Sequence, residues 1–324
     1  MIVLKTDRAE TPQQAGVDLN TTDEDYFEHN AQIKMHEGEI AIDIALVKRL
    51  IADQFQHLAE KSITVVRSTG TVNAIFRLDN DLCVRLPRMA SWAENLIKEW
   101  IWLPKIAPHI SLAIPKPFAR GNPTYWFPYP WAIYHWIDGA TYQEDLMIDE
   151  CQIARDLANF ILELRSIDMS GASHGGRKPL IELDAQTRCA IASSRDVIDH
   201  EAVSVAWERS IESPKWDGKP VWLHGDLLKS NLLIKDNRLY AILDFGGVGI
   251  GDPATDVVPA WSVFNKTGRE TFRQALRVDD QIWNRARGYA LHQALMIIPY
   301  YPKTNPEFVT MAMHTVDEIL NELN

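Results

Sequence analysis

VWLHGDLLKSNLLIKDNRLYAILDFGGVGIGDPATD, Val221 to Asp256, is the stretch that decides the fold. An apolar run, Val221-Trp222-Leu223, ends in His224-Gly225-Asp226, and Asn231 follows just ahead of a second run, Leu232-Leu233-Ile234. A turn at Asp236-Asn237-Arg238 leads to a third run, Tyr240 to Leu243, which delivers Asp244-Phe245-Gly246. Short β-type runs bounded by turn residues predict strands. Two carboxylates and one amide therefore stand at the ends of short buried strands, presented from loops, where binding and catalytic groups concentrate.

Phosphoryl transfer calls for this set of residues. A base must orient the attacking hydroxyl, and oxygen ligands must hold Mg²⁺ against nucleotide phosphates. Mg²⁺ is hard and small, and one or two carboxylates plus the substrate's own phosphates usually hold it. Asp226 fits the base; Asn231 and Asp244 fit the metal. The competing reading is a hairpin whose carboxylates cap turns. A single Asp-Phe-Gly would support that, but three ordered motifs in one short window argue against it.

The order H-x-D-x-x-x-x-N then D-F-G is the protein-kinase order. With Gly225 in place of arginine, and Gly251-Asp252-Pro253-x-x-Asp256 following, the chain resembles the aminoglycoside phosphotransferase family, which includes macrolide kinases and, more distantly, choline and homoserine kinases. The resemblance implies an α+β, two-lobed, protein-kinase-like fold with a small antiparallel β-sheet lobe and a mainly helical lobe. It also implies Mg²⁺, and ATP or GTP as co-substrate, in a monomer or homodimer.

Composition sets outer limits. The 324 residues, 46% hydrophobic and 24% charged, suit a soluble globular protein of one large or two modest domains. A net charge of −11 argues against a general nucleic-acid binder and is compatible with a cationic substrate. Cys83, Cys151 and Cys189 lack metal spacing and read as small core hydrophobes in a reducing compartment. The start lacks a signal-peptide pattern and no apolar run reaches spanning length, so a cytoplasmic protein without membrane partners is expected.

Residues 1–38 are polar and acidic and predict an N-terminal arm, partly disordered, with Met35 as an alternative start. Residues 39–138 read as a nucleotide-binding lobe. Ile40, Ile44, Val47, Leu50, Ile51, Phe55 and Leu58 recur at helical spacing. Strands are expected over 63–67, 72–79 and 82–86, as a meander. Ser68-Thr69-Gly70-Thr71 joins the first two, where a kinase covers the nucleotide phosphates; Gly70 is its one glycine. Arg85 stands where the resemblance places a phosphate-holding lysine, and arginine keeps the charge with a bidentate fork. A helix over 91–107 carries Glu99, which matches the family glutamate that pairs with that cation. Prolines fill 108–130, favouring extended structure. A strand over 132–137 leads toward the hinge that would meet a purine, with Trp136 as hinge candidate.

Residues 139–324 read as a helical lobe with the catalytic loop and the acceptor site. Helices are expected over 149–167, less clearly over 184–207, and over 257–264, 280–298 and 306–323. Asp252 before Pro253 reads as a helix cap. Asp256 divides evenly between a family site residue and a first-turn aspartate favoured by the helix dipole. His224 is expected to brace the loop and Lys229 to be solvated. The acceptor is expected near Asp256, Trp261, Tyr289 and His292. Function then reads as transfer of a γ-phosphoryl group to a hydroxyl of an aminoglycoside- or macrolide-like antibiotic. The alternatives are a kinase for a choline-, amino alcohol- or sugar-type metabolite, and a nucleotide-binding regulator without transfer activity.

Overall fold

The computed structural model describes residues 38–66, 70, 72–142 and 149–323. The expected polar arm, its Met35, and Ser68, Thr69 and Thr71 of the phosphate-covering turn lie outside them.

A five-stranded sheet forms the first lobe, from β1 (Ile63–Val65), β2 (Asn73–Leu78), β3 (Leu82–Pro87), β4 (Pro117–Gly121) and β5 (Trp131–His135), in the order β1-β2-β3-β5-β4. Every pairing is antiparallel. The period-2 pleat sorts its side chains. Leu82, Val84 and Leu86 of β3, with Trp131 and Ile133 of β5, join Val47, Leu50 and Ile51 of helix α1 (Ile44–Gln54) in one core. The intervening Arg85, Ala132 and Tyr134 therefore face the other way, toward helix α2 (Ala90–Ile106) and the second lobe. That alternation puts Arg85 in the cleft.

The second lobe is mainly helical: α3 (Glu150–Arg165), α4 (Leu180–Ser193), α5 (His200–Ile211), the one-turn α6 (Pro259–Ser262), α7 (Lys266–Leu276), α8 (Asp280–Ile297) and α9 (Pro306–Leu323). Short strands present the loops of interest: β6 (Ala140–Thr141) pairs with β8 (Leu232–Lys235), β8 with β9 (Arg238–Ile242), and β7 (Val221–Leu223) with β10 (Gly249–Gly251). Asp236 and Asn237 turn the β8–β9 hairpin with φ of 51° and 59°. Positive φ at both turn positions is the twist-compatible hairpin geometry.

Three expectations are corrected. The weak helix over 184–207 is two helices, because Asp199 caps a new start by accepting from the Ala202 N–H at 3.0 Å. Helix α7 was not expected: Phe272 and Leu276 are its only large buried apolar residues, and its signal is Asn265, whose side chain caps Thr267 and Gly268. Cys189 is exposed rather than in the core. No helix among the described residues is long and apolar enough to cross a membrane.

Candidate active site

Two loops meet at the cleft, one from β7 to β8 and one from β9 to β10. The first begins with a glycine whose necessity is steric. Gly225 has φ +87°, and a Cβ there would stand 2.7 Å from the Gly247 carbonyl oxygen. Glycine alone accepts both the backbone conformation and the contact. The two loops thus touch backbone to backbone between Gly225 and Gly247.

His224 is buried and fixed at both ring nitrogens. Its Nε2 lies 3.0 Å from the Leu243 carbonyl, and the Asp226 N–H donates to its Nδ1 at 3.2 Å. An imidazole that donates from Nε2 and accepts at Nδ1 is neutral. Burial pushes its pKa down, against the opposing charges of Asp256 and Asp244. It holds the two loops together.

Asp256 is fully buried, and its two oxygens accept the His224 N–H at 2.7 Å and the Gly225 N–H at 2.8 Å. These charge-assisted bonds brace the Asp226 loop from beneath. Asp256 is therefore not an acceptor-facing group, which corrects its expected placement. Asp252 caps Pro253–Val257 through the Ala254 N–H and pairs with Arg285 at 2.8 Å.

Asp226 stands at the head of the loop. Its pKa is pushed up to about 6, first by burial and then by the Asp244 charge, while Arg177 and Asn231 oppose the shift. Asn231 Nδ2 donates to the Asp226 carbonyl at 2.9 Å and to Asp226 Oδ2 at 3.3 Å. With its nitrogen so engaged, Asn231 keeps its oxygen for another partner. Asp244 adopts a left-handed conformation, φ +60°, and accepts from the Gly246 N–H at 3.3 Å. Non-glycine residues seldom adopt that region, and functional turns often hold them there. The Asp244 side chain is 33% exposed, and its Oδ1 also faces Arg85. No cluster of three or more His, Cys, Asp or Glu suited to a metal occurs among the described residues. The oxygens of Asn231 and Asp244 nonetheless fit Mg²⁺, which completes its shell with substrate phosphates and water.

The first lobe meets these loops through one buried carboxylate. Arg85 Nη1 donates to both Glu99 oxygens, at 3.1 and 2.9 Å, and Arg85 Nη2 reaches Asp244 Oδ1 at 3.4 Å. Glu99 also accepts the Tyr134 hydroxyl at 3.0 Å and the Phe245 N–H at 2.7 Å. Burial raises the Glu99 pKa and the Asp244 charge adds to it, while Arg85 and the Tyr134 hydroxyl favour the carboxylate.

The remaining sequence candidates separate. Gly70 is exposed at the β1–β2 turn. Trp136 follows β5, but its N–H donates to the Asp81 carbonyl at 2.8 Å and Arg77 lies over its ring at 4.5 Å. The Trp136 N–H is thus not the group that meets a purine. Trp261 is fully buried against Trp283 and donates to Glu322, so it is core rather than acceptor surface. Tyr289 is buried, its hydroxyl 3.5 Å from Asp252. His292 has both ring nitrogens engaged, by Thr187 at 2.9 Å and Gln186 at 3.2 Å, and its pKa is pushed down to about 4, first by burial and then by Arg177. The Trp261, Tyr289 and His292 side chains are therefore buried in the packing of the helical lobe. Lys229 is buried with its ammonium 5.9 Å from the Tyr142 ring centroid, not solvated. Sequence reasoning missed Arg177, a lone arginine after a glycine pair, with no spacing to mark it.

The fold and this meeting of loops are those of a phosphotransferase on the two-lobed kinase plan. Residues 63–291 match the model of the phosphotransferase enzyme family, and the chain belongs to that family. No curated protein matches the chain significantly. Among solved structures it is similar to the GDP and kanamycin complex of APH(2")-IIia, with TM-score 0.70, 18% identity, and 85% of this chain and 98% of that one covered. ADP-bound aminoglycoside phosphotransferase APH(2'')-Ib matches with TM-score 0.56 and 17% identity over 86% of this chain and 99% of that one. The apoenzyme of macrolide 2'-phosphotransferase MphH from Brachybacterium faecium matches with TM-score 0.56 and 20% identity over 85% and 98%.

Proposed function

We propose that this chain is a kinase that transfers the γ-phosphoryl group of ATP or GTP to a hydroxyl of a small molecule. The observation that carries the reading is the join between Asp226–Asn231 on one loop and Asp244 on the other, tied through Arg85 and Glu99 to the first lobe. Asp226 accepts the acceptor's hydroxyl proton at its carboxylate. Asn231 fixes that carboxylate through Oδ2, and His224 fixes its backbone. Asn231 and Asp244 would hold Mg²⁺, which when bound neutralises charge on the phosphates. Arg85 supplies positive charge on the nucleotide side, and Gly70 lies in the turn that would cover the phosphates. Positioning and preorganised charge supply most of the rate in such sites.

Two acceptor readings follow. An aminoglycoside- or macrolide-like antibiotic is supported by similarity to the structures named above. A sugar-type metabolite is favoured by one observation, the Arg177 charge acting on Asp226, which disfavours ammonium-bearing acceptors, choline-like amines and amino alcohols included. The test is a coupled assay for ADP or GDP release with kanamycin, a macrolide, and a set of hydroxylated metabolites. Acceptor-dependent release supports kinase action. Nucleotide binding with Mg²⁺ but no transfer to any acceptor or to water would favour the regulator reading instead.

A further inference from the structure

Arg177 reaches the site from outside the kinase loops. Residues 173–175 run beside β10: the Ile250 N–H donates to the Ser173 carbonyl and the Gly175 N–H to the Ile250 carbonyl, both at 3.0 Å. Two glycines let this segment lie against the catalytic ribbon. A Cβ on Gly175 would stand 2.7 Å from the Gly249 Cα. On Gly176, at φ +75°, it would stand 2.7 Å from Leu223. Arg177 is the next residue, two before the Pro179 that precedes α4.

Its charge interacts with Asp226, Tyr289 and Asp256, and with His292. The segment that carries Arg177 packs on β10 and β7 of the second lobe, whereas Asp244 is met from the first lobe by Arg85. Arg177 therefore stands on the acceptor side of Asp226. Of the carboxylates near it, both Asp256 oxygens accept loop amides, and Asp226 Oδ2 accepts from Asn231. Arg177 Nε is buried without a hydrogen-bond partner among the described residues. A buried N–H left without a partner is costly, and the planar fork of an arginine matches a carboxylate or a phosphate bidentately.

We propose that Arg177 is a specificity-determining residue of the acceptor site, and that the acceptor carries an anionic group, carboxylate or phosphate, beside its reacting hydroxyl. The anion completes the hydrogen bonding of the guanidinium and fixes the hydroxyl against Asp226. Polyamine acceptors such as aminoglycosides are turned away by the same charge. This rests on the kinase reading above.

The test uses the full chain with Mg·ATP and Mg·GTP and three groups of acceptors: hydroxylated carboxylates and sugar phosphates, neutral polyols, and hydroxylated amines including kanamycin. The two kinds of anionic acceptor separate carboxylate from phosphate recognition. Turnover is expected with the anionic group. Arg177→Gln is expected to raise the acceptor KM by ~10–100-fold, the effect of losing charge-assisted bonds. Arg177→Lys is expected to recover part of it. Nucleotide affinity by calorimetry and the melting temperature show that each variant is folded; a collapsed Arg177→Gln would leave Arg177→Lys, with its smaller KM rise, to decide. Turnover only with amines, turnover with no panel member while Mg·nucleotide binds, or an anionic-acceptor KM unmoved in both variants would overturn the inference and leave nucleotide use standing. Failure to bind Mg·ATP and Mg·GTP would overturn the kinase reading itself.

Discussion

The Glu99 carboxylate accepts the Phe245 N–H at 2.7 Å across 146 positions of chain, while its two oxygens also hold Arg85. One buried side chain therefore ties β3, α2 and the Asp244 turn together. Removing one partner of a buried ion pair leaves an uncompensated charge and costs about 3–5 kcal/mol. Glu99→Ala is expected to lower stability by that order in urea unfolding and to weaken Mg·nucleotide binding. An unchanged unfolding midpoint would show that the tie is not formed.

Arg85→Lys tests the fork rather than the charge. Arg85 uses separate nitrogens for Glu99 and Asp244, and one ammonium cannot reproduce that planar geometry. Nucleotide affinity is expected to fall by ~10-fold, the equivalent of one lost charge-assisted bond. Arg85→Ala should fall further, as calorimetry would show.

Asp256→Ala leaves the His224 and Gly225 amides buried without an acceptor. A loss on the order of 2–4 kcal/mol is expected. The kcat should drop while the KM for nucleotide stays near wild type, because the brace lies under Asp226 and away from the first lobe. Steady-state kinetics separates the two parameters.

Asp226 also sets the pH dependence. Its pKa of about 6 predicts transfer that is full above that pH and falls as pH drops through it. The stability effect has the opposite sign. The folded pKa lies above the ordinary 3.8, so the folded chain holds more protons between 3.8 and about 6. The contribution of Asp226 to stability is present below pH 3.8 and lost as pH rises through about 6. Asp226→Asn should therefore be more stable than wild type at pH 7.5, by on the order of 3 kcal/mol, and so melt higher there, with no gain at low pH. Melting curves at the two pH values check it.

The parts of this site that were legible in the sequence were those with fixed spacing. Asp226, Asn231 and Asp244 stood out because short strands deliver them at the offsets of the kinase motif, and Arg85 and Glu99 because the family resemblance pairs a third-strand cation with a helix glutamate at those positions. The acceptor side was not legible. Trp261, Tyr289 and His292 lie on elements whose apolar and polar residues alternate without a chemical signature, and packing turned them inward. Arg177 was invisible because its position depends on Gly175 and Gly176 crossing Gly249 and Leu223, which are far away in sequence. Helix α7 was missed for a related reason: its burial against α3 rests on Gly268 lying close to Glu150, not on a long apolar stripe.

The central claim is that Asp226 is the base of a phosphoryl transfer. The most direct measurement follows label from γ-³²P nucleotide to the acceptor in a single turnover, with wild type and Asp226→Asn, alongside calorimetric binding of Mg·nucleotide to both. Wild type should transfer the label, and Asp226→Asn should bind nucleotide with little change while transferring almost none. Transfer by Asp226→Asn at a near-wild-type rate would contradict the account.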